Sequence, residues 1–120
     1  MSTPVVFVVE DDPKLNEIIT ITLQENFEIE SCTNGNAAME RLRQIIPDIV
    51  VLDLNLPGVS GREILESIHT DKRLTKTRVI LTTADERQAE TLTNEADIIL
   101  LKPVSPIQLR ELALRLSTKK

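Results

Sequence analysis

The chain lacks tryptophan and tyrosine, and among its 120 residues it has one cysteine, Cys32, and one histidine, His69. A lone cysteine excludes a disulfide framework. His69 falls in a run of helical period and Cys32 in a strand-like one, so no His/Cys cluster competes for a soft metal. No apolar stretch approaches the roughly 20 residues of a membrane span. Met1-Ser2-Thr3-Pro4 carries no signal-peptide pattern, so a cytoplasmic setting without membrane contact is the expectation. Positive charge is scarce as well: 14 Lys and Arg stand against 19 Asp and Glu, a net charge of -5. That balance argues against direct binding of nucleic acid or anionic membrane, which need clustered cations to neutralise phosphates. Repeats, low-complexity tracts and linkers are absent, and Pro and Gly fall at turn positions.

What is present fits one domain over residues 1–120, because 41% hydrophobic content at this length supports a single core and no second one. Strand-like and helix-like runs alternate five times, which predicts an α/β fold. Val5-Val6-Phe7-Val8-Val9, Phe27 to Cys32, Ile49 to Asp53, Arg78 to Thr83 and Ile98 to Leu101 are the strand runs. Three of them are almost wholly apolar, as suits parallel strands covered on both faces. Asp12 and Pro13 start a first helix with Leu15, Ile18, Ile19 and Leu23 on one face. Ala38, Leu42 and Ile45 mark a second helix, ended by Pro47, and Ile64, Leu65 and Ile68 mark a third. A fourth, from about Asp85 to Asn94, offers only Ala89 and Leu92 to the core. Ser105-Pro106 opens the last, with Leu109, Leu112, Ala113 and Leu116 facing inward.

Taken singly, the charged residues at the strand ends have ordinary explanations. Asp12 reads as a helix cap, Glu10 and Asp11 as loop acids, Asp53 as a cap, Lys102 as a surface cation and Thr83 as a strand residue. Their coincidence is not ordinary. Glu10, Asp11, Asp53, Thr83 and Lys102 all fall at the same end of four strands, the edge where open α/β sheets build sites. Three converging carboxylates exceed what one lysine can neutralise, which implies an oxygen-seeking divalent cation such as Mg2+. Beside such an ion Asp53 can attack a phosphoryl group as a nucleophile, with Thr83 and Lys102 holding the transferred oxygens.

Val9-Glu10-Asp11-Asp12, Asp53 followed by Leu56-Pro57-Gly58-Val59-Ser60-Gly61, Thr83-Ala84 and Lys102-Pro103, in this order, resemble the receiver domains of two-component response regulators, the chemotaxis regulators among them. The resemblance covers essentially the whole chain. It implies a flavodoxin-like, doubly wound (βα)5 fold with a five-stranded parallel sheet in the order 2-1-3-4-5. It further implies that Asp53 accepts phosphate from a sensor histidine kinase or a phosphotransfer protein. Asp11 and Asp53 would bind Mg2+ directly, Glu10 through water, and the backbone carbonyl of Asn55 would complete the set. Lys102 would contact the phosphoryl group, Thr83 would move toward it as the switch, and the Lys102-Pro103 bond would be cis. Asn55 and Asp85, two positions after Asp53 and Thr83, would tune loss of phosphate. The output face would serve a downstream protein partner or a homodimer, with Ile99 beneath it and Ile107 and Leu114 facing water on the last helix.

The chain also departs from the family pattern. Ile99 stands where an aromatic residue is usual, Asn94-Glu95-Ala96-Asp97 replaces a Gly-containing turn, and Thr83 and Lys102 are 19 positions apart. That spacing is about one helical turn shorter than usual. Two other readings follow: a receiver-like interaction module that works without phosphorylation, and an Asp-nucleophile phosphatase of the haloacid-dehalogenase kind. The latter needs a second Asp two positions after the nucleophile, where Asn55 stands, so a phosphoacceptor rather than a turnover enzyme is expected.

Overall fold

The apolar runs become five strands: β1 (Val5–Val9), β2 (Glu28–Cys32), β3 (Ile49–Asp53), β4 (Arg78–Thr83) and β5 (Ile98–Leu101). The computed structural model describes residues 3–118. All neighbouring strands are parallel and lie in the order β2-β1-β3-β4-β5, as the resemblance implied. Between them run α1 (Pro13–Leu23), α2 (Gly35–Leu42), α3 (Gly61–Thr70), a 3-10 turn at Lys72–Leu74, α4 (Glu86–Thr91) and, last, α5 (Pro106–Thr118).

Period-two alternation along each strand splits the core into two layers. Val6, Val8, Ile49, Val51 and Ile80 pack against Ile19 and Leu23 of α1 and Leu109, Ala113 and Leu116 of α5. Phe7, Val9, Val50, Leu52 and Leu81 pack against Ala38 and Leu42 of α2 and Ile64, Leu65 and Ile68 of α3. With both faces covered, the central strands gain from apolar residues at every position. Helix starts follow local chemistry. The Asp12 side chain accepts from the backbone N–H groups of Lys14 and Leu15, with Pro13 at the first helical position. The Ser60 hydroxyl accepts from Glu63 N, and the Ser105 hydroxyl accepts from Gln108 N.

Several expectations need correction. Ile18 is 50% exposed, and the buried stripe of α1 is Asn16, Ile19 and Leu23. β2 begins at Glu28, so the buried Phe27 precedes it. α2 ends at Leu42, which leaves Ile45 in the following turn, partly buried against the core. α4 is only the six residues Glu86–Thr91, none of them buried, and Leu92 enters the core just beyond its end. In α5, Leu112 is half-buried, while Leu114, expected to face water, packs partly buried against the layer beneath α1 and α5. The core layer shared by α1 and α5 reaches the Leu114 flank of α5 and covers Leu112 only in part, so periodicity alone misassigned both flanks of the stripe.

Candidate functional site

Register brings the strand ends together. Val9 is paired with Leu52, Asp53 with Thr82 and Thr83 with Leu101, so Glu10, Asp53, Thr83 and Lys102 leave the sheet along one edge. Lys102 N donates to Thr83 O at 2.8 Å, which continues the ladder by one residue, and the Lys102-Pro103 peptide is cis as expected.

Asp53 is 1% exposed. One of its carboxylate oxygens accepts from Asn55 N at 2.9 Å, and the other accepts from Lys102 Nζ at 3.0 Å. Lys102 Nζ also lies 3.1 Å from Glu10 Oε1, so one ammonium bridges two buried acids. Burial pushes the Glu10 carboxyl up to about 7, with the nearby Asp53 charge adding to it, against the hydrogen bond from Asp12 N and the Lys102 ammonium. Burial alone would depress the Lys102 ammonium, but its bonds to Asp53 and Glu10 outweigh that and raise its pKa. Asp11 is exposed at the rim, and ligand oxygens of Glu10, Asp11 and Asp53 lie within 4.8 Å of one another. An all-carboxylate donor set of this size, with the buried Glu10 carboxyl pushed up to about 7 while no cation is bound, fits a hard divalent cation such as Mg2+. Asp12 stands apart from the set as the α1 cap.

Thr83 is fully buried. Its hydroxyl accepts from Asp85 N at 3.0 Å and donates to Gln88 Oε1 at 3.0 Å. Asp85 caps α4, accepting from Arg87 N and Gln88 N, and both it and Asn55, two positions after Thr83 and Asp53, are exposed. Ile99 is half-buried under α4 and lines a groove of about 400 Å³ with Ala89, Thr93, Ala96 and Leu101. Ile107 is 59% exposed, but Leu114 is not, so they do not form one exposed patch.

Two glycines shape the loop after Asp53. Gly58 has a φ of 77°, a left-handed conformation that a side chain disfavours. At Gly61 an added Cβ would lie 2.5 Å from Leu54 Cα and 2.6 Å from Asp53 O, so only glycine lets α3 start against the backbone of Asp53 and Leu54. Two contributors escaped the sequence reading. Buried Asn16 donates to Glu10 O and Cys32 O, both at 3.0 Å, and so ties the ends of β1 and β2. Its one signal was a polar amide in helical register with Ile19 and Leu23. Gln88 had no signal beyond lying in a helix poor in apolar residues.

Comparison with known proteins gives the same picture. The family model described as "Response regulator receiver domain" matches residues 6–114. The hybrid signal transduction histidine kinase D of Dictyostelium discoideum is 32% identical over 98% of this chain, which spans 8% of that protein. The DNA-binding response regulator MtrA of Mycolicibacterium smegmatis is 32% identical over 87% of the chain. Here the chain spans 46% of the relative's length, so most of each of these proteins lies outside the match. Among solved structures, response regulator TrrA of Thermotoga maritima in complex with Mg2+-BeF is 30% identical, with a TM-score of 0.83 and coverage of 94% of this chain and 98% of that one.

Proposed function

The chain belongs to the response regulator receiver domains, and from that premise we propose that Asp53 accepts a phosphoryl group from a phosphohistidine of a sensor histidine kinase or phosphotransfer protein. The observation that carries this reading is the buried Asp53 carboxylate held 3.0 Å from Lys102 Nζ, inside a cluster of three acids. A carboxylate this constrained is a positioned nucleophile. In the transfer an Asp53 oxygen forms the new O–P bond as the donor's N–P bond breaks. Glu10, Asp11, Asp53 and the Asn55 carbonyl would hold Mg2+, which supplies neutralising charge for the phosphoryl oxygens. The MtrA and TrrA names, and the Mg2+-BeF complex of TrrA, support the same chemistry.

Lys102 now binds Asp53 and Glu10, and on transfer its ammonium turns to a phosphoryl oxygen, releasing its hold on both acids. Thr83 contributes its hydroxyl as the switch. Asn55 and Asp85 leave a polar path by which water attacks the phosphoaspartate. The domain thus gains and loses one phosphoryl group without turning over a substrate; a phosphatase of the haloacid-dehalogenase kind is disfavoured by Asn55 at the acid-base position. The output is altered binding of a protein partner, through the face made by α4, β5 and α5, in a cytoplasmic setting. No helix among the described residues is long and apolar enough to cross a membrane.

The test is mass spectrometry of the full chain after exposure to a small phosphodonor, with Mg2+ or with a chelator. One added phosphoryl group that needs Mg2+ and disappears in Asp53→Asn is expected. No mass gain under any condition would overturn the reading and favour an interaction module that works without phosphorylation.

A further inference from the structure

A hydroxyl has one proton to donate. In Thr83 that proton goes to Gln88 Oε1 at 3.0 Å, and the oxygen accepts from Asp85 N at 3.0 Å, so both bonds face α4 and neither faces Asp53. The side chain is fully buried, which makes an unpartnered hydroxyl costly in either arrangement. Few other contacts hold α4. Its six residues include no buried one, Arg62 Nη2 donates to Thr91 Oγ1 at 3.0 Å, and Leu92 anchors the chain just past its end. For this short helix the Thr83 bond is therefore a principal tie to the sheet.

We infer that Gln88 is a latch: it holds the Thr83 hydroxyl in the first turn of α4, and capture of a phosphoryl group on Asp53 requires that bond to break. Gln88 is a positioning residue, acting through Thr83. The inference rests on the reading of Asp53 as phosphoacceptor, and it adds the route by which that event reaches α4. When Thr83 donates to a phosphoryl oxygen instead, the Gln88 side chain is released. The N-terminal turn then keeps only the Asp85 cap, so phosphorylation loosens α4 from its first turn onward. The latch also opposes capture. Breaking one neutral hydrogen bond weakens binding of a phosphoryl group or its mimic by about fivefold.

Gln88→Met keeps length and helix propensity but removes the acceptor. Gln88→Glu keeps an acceptor oxygen at the same reach. Affinity for beryllofluoride, a tetrahedral phosphoryl mimic, is measured with Mg2+ by titration calorimetry on the full chain, and amide exchange across Glu86–Thr91 is followed with and without it. Gln88→Met should bind about fivefold more tightly than wild type, and its α4 amides should exchange faster before any mimic is added. Gln88→Glu should show neither gain. Equal or weaker binding by Gln88→Met, or an equal gain in Gln88→Glu, would overturn the latch while leaving Asp53 as acceptor. Failure of folded wild-type protein to bind beryllofluoride with Mg2+ would instead sink the Asp53 reading, and the latch with it.

Discussion

Replacing Glu10 by glutamine should stabilise the metal-free protein above neutral pH, although it removes a group from the functional cluster. Glu10 is 2% exposed, and its carboxyl is pushed from 4.5 up to about 7 by burial first and by the Asp53 charge. Between these values the native state keeps a proton that the unfolded chain releases. Because the folded pKa is raised, the contribution is fully present below pH 4.5 and is lost as pH rises through 7. At about 1.4 kcal/mol per pKa unit, the loss by pH 8 is about 3 kcal/mol. A glutamine side chain keeps an oxygen to accept from Asp12 N, as Glu10 does at 3.1 Å, without the buried charge. In chelator at pH 8, the Glu10→Gln variant should therefore melt about 10 °C above wild type for a domain of this size. The gap should close toward pH 4.5. Saturating Mg2+ should restore wild type by about 2.7 kcal/mol at 100 times Kd and restore the variant by less. The assay is urea or thermal unfolding of both proteins across pH 4.5–8, with chelator and with Mg2+. A Glu10→Gln variant that is less stable at pH 8 in chelator, or a stability difference that does not change with pH, would refute the account of a strained buried acid.

Three further outcomes are expected. Asn16→Ala removes both bonds tying Glu10 O and Cys32 O and should cost about 2–3 kcal/mol in urea unfolding, with weaker Mg2+ binding; a loss under about 0.5 kcal/mol would show that water replaces the amide. Asp11→Asn should weaken Mg2+ in a titration far more than Asp12→Asn, whose main effect should be about 1 kcal/mol of stability through the α1 cap, and equal losses of affinity would contradict these roles. Asn55→Leu and Asp85→Leu should each slow decay of the labelled phosphoprotein, because apolar bulk there obstructs the attacking water, and unchanged decay would remove both residues from that role.

Much of this protein is legible in its sequence, because its strongest signals are local. A strand buried on both faces needs apolar residues throughout, so Val5–Val9 and Ile49–Asp53 announce themselves. Caps act over three or four residues, so Asp12-Pro13 and Ser105-Pro106 mark helix starts without reference to the rest of the chain. Acids and a lysine at the ends of apolar runs indicated a site before any contact was known, since parallel strands all end their chemistry at one edge. Only the tertiary structure decided what depends on distant partners. Asn16 is buried because two carbonyls from different strands accept its amide hydrogens, a fact that no helical period contains. Leu114 is partly covered because the core layer beneath α1 and α5 reaches that flank of the helix. The Thr83 hydroxyl points into α4 because Gln88 and Asp85 N offer both of its bonds there, and α4 is short because nothing along it is buried. The residues of the site were written locally, but the raised pKa of Glu10 and the partners of the Thr83 hydroxyl were set by neighbours that only folding supplies.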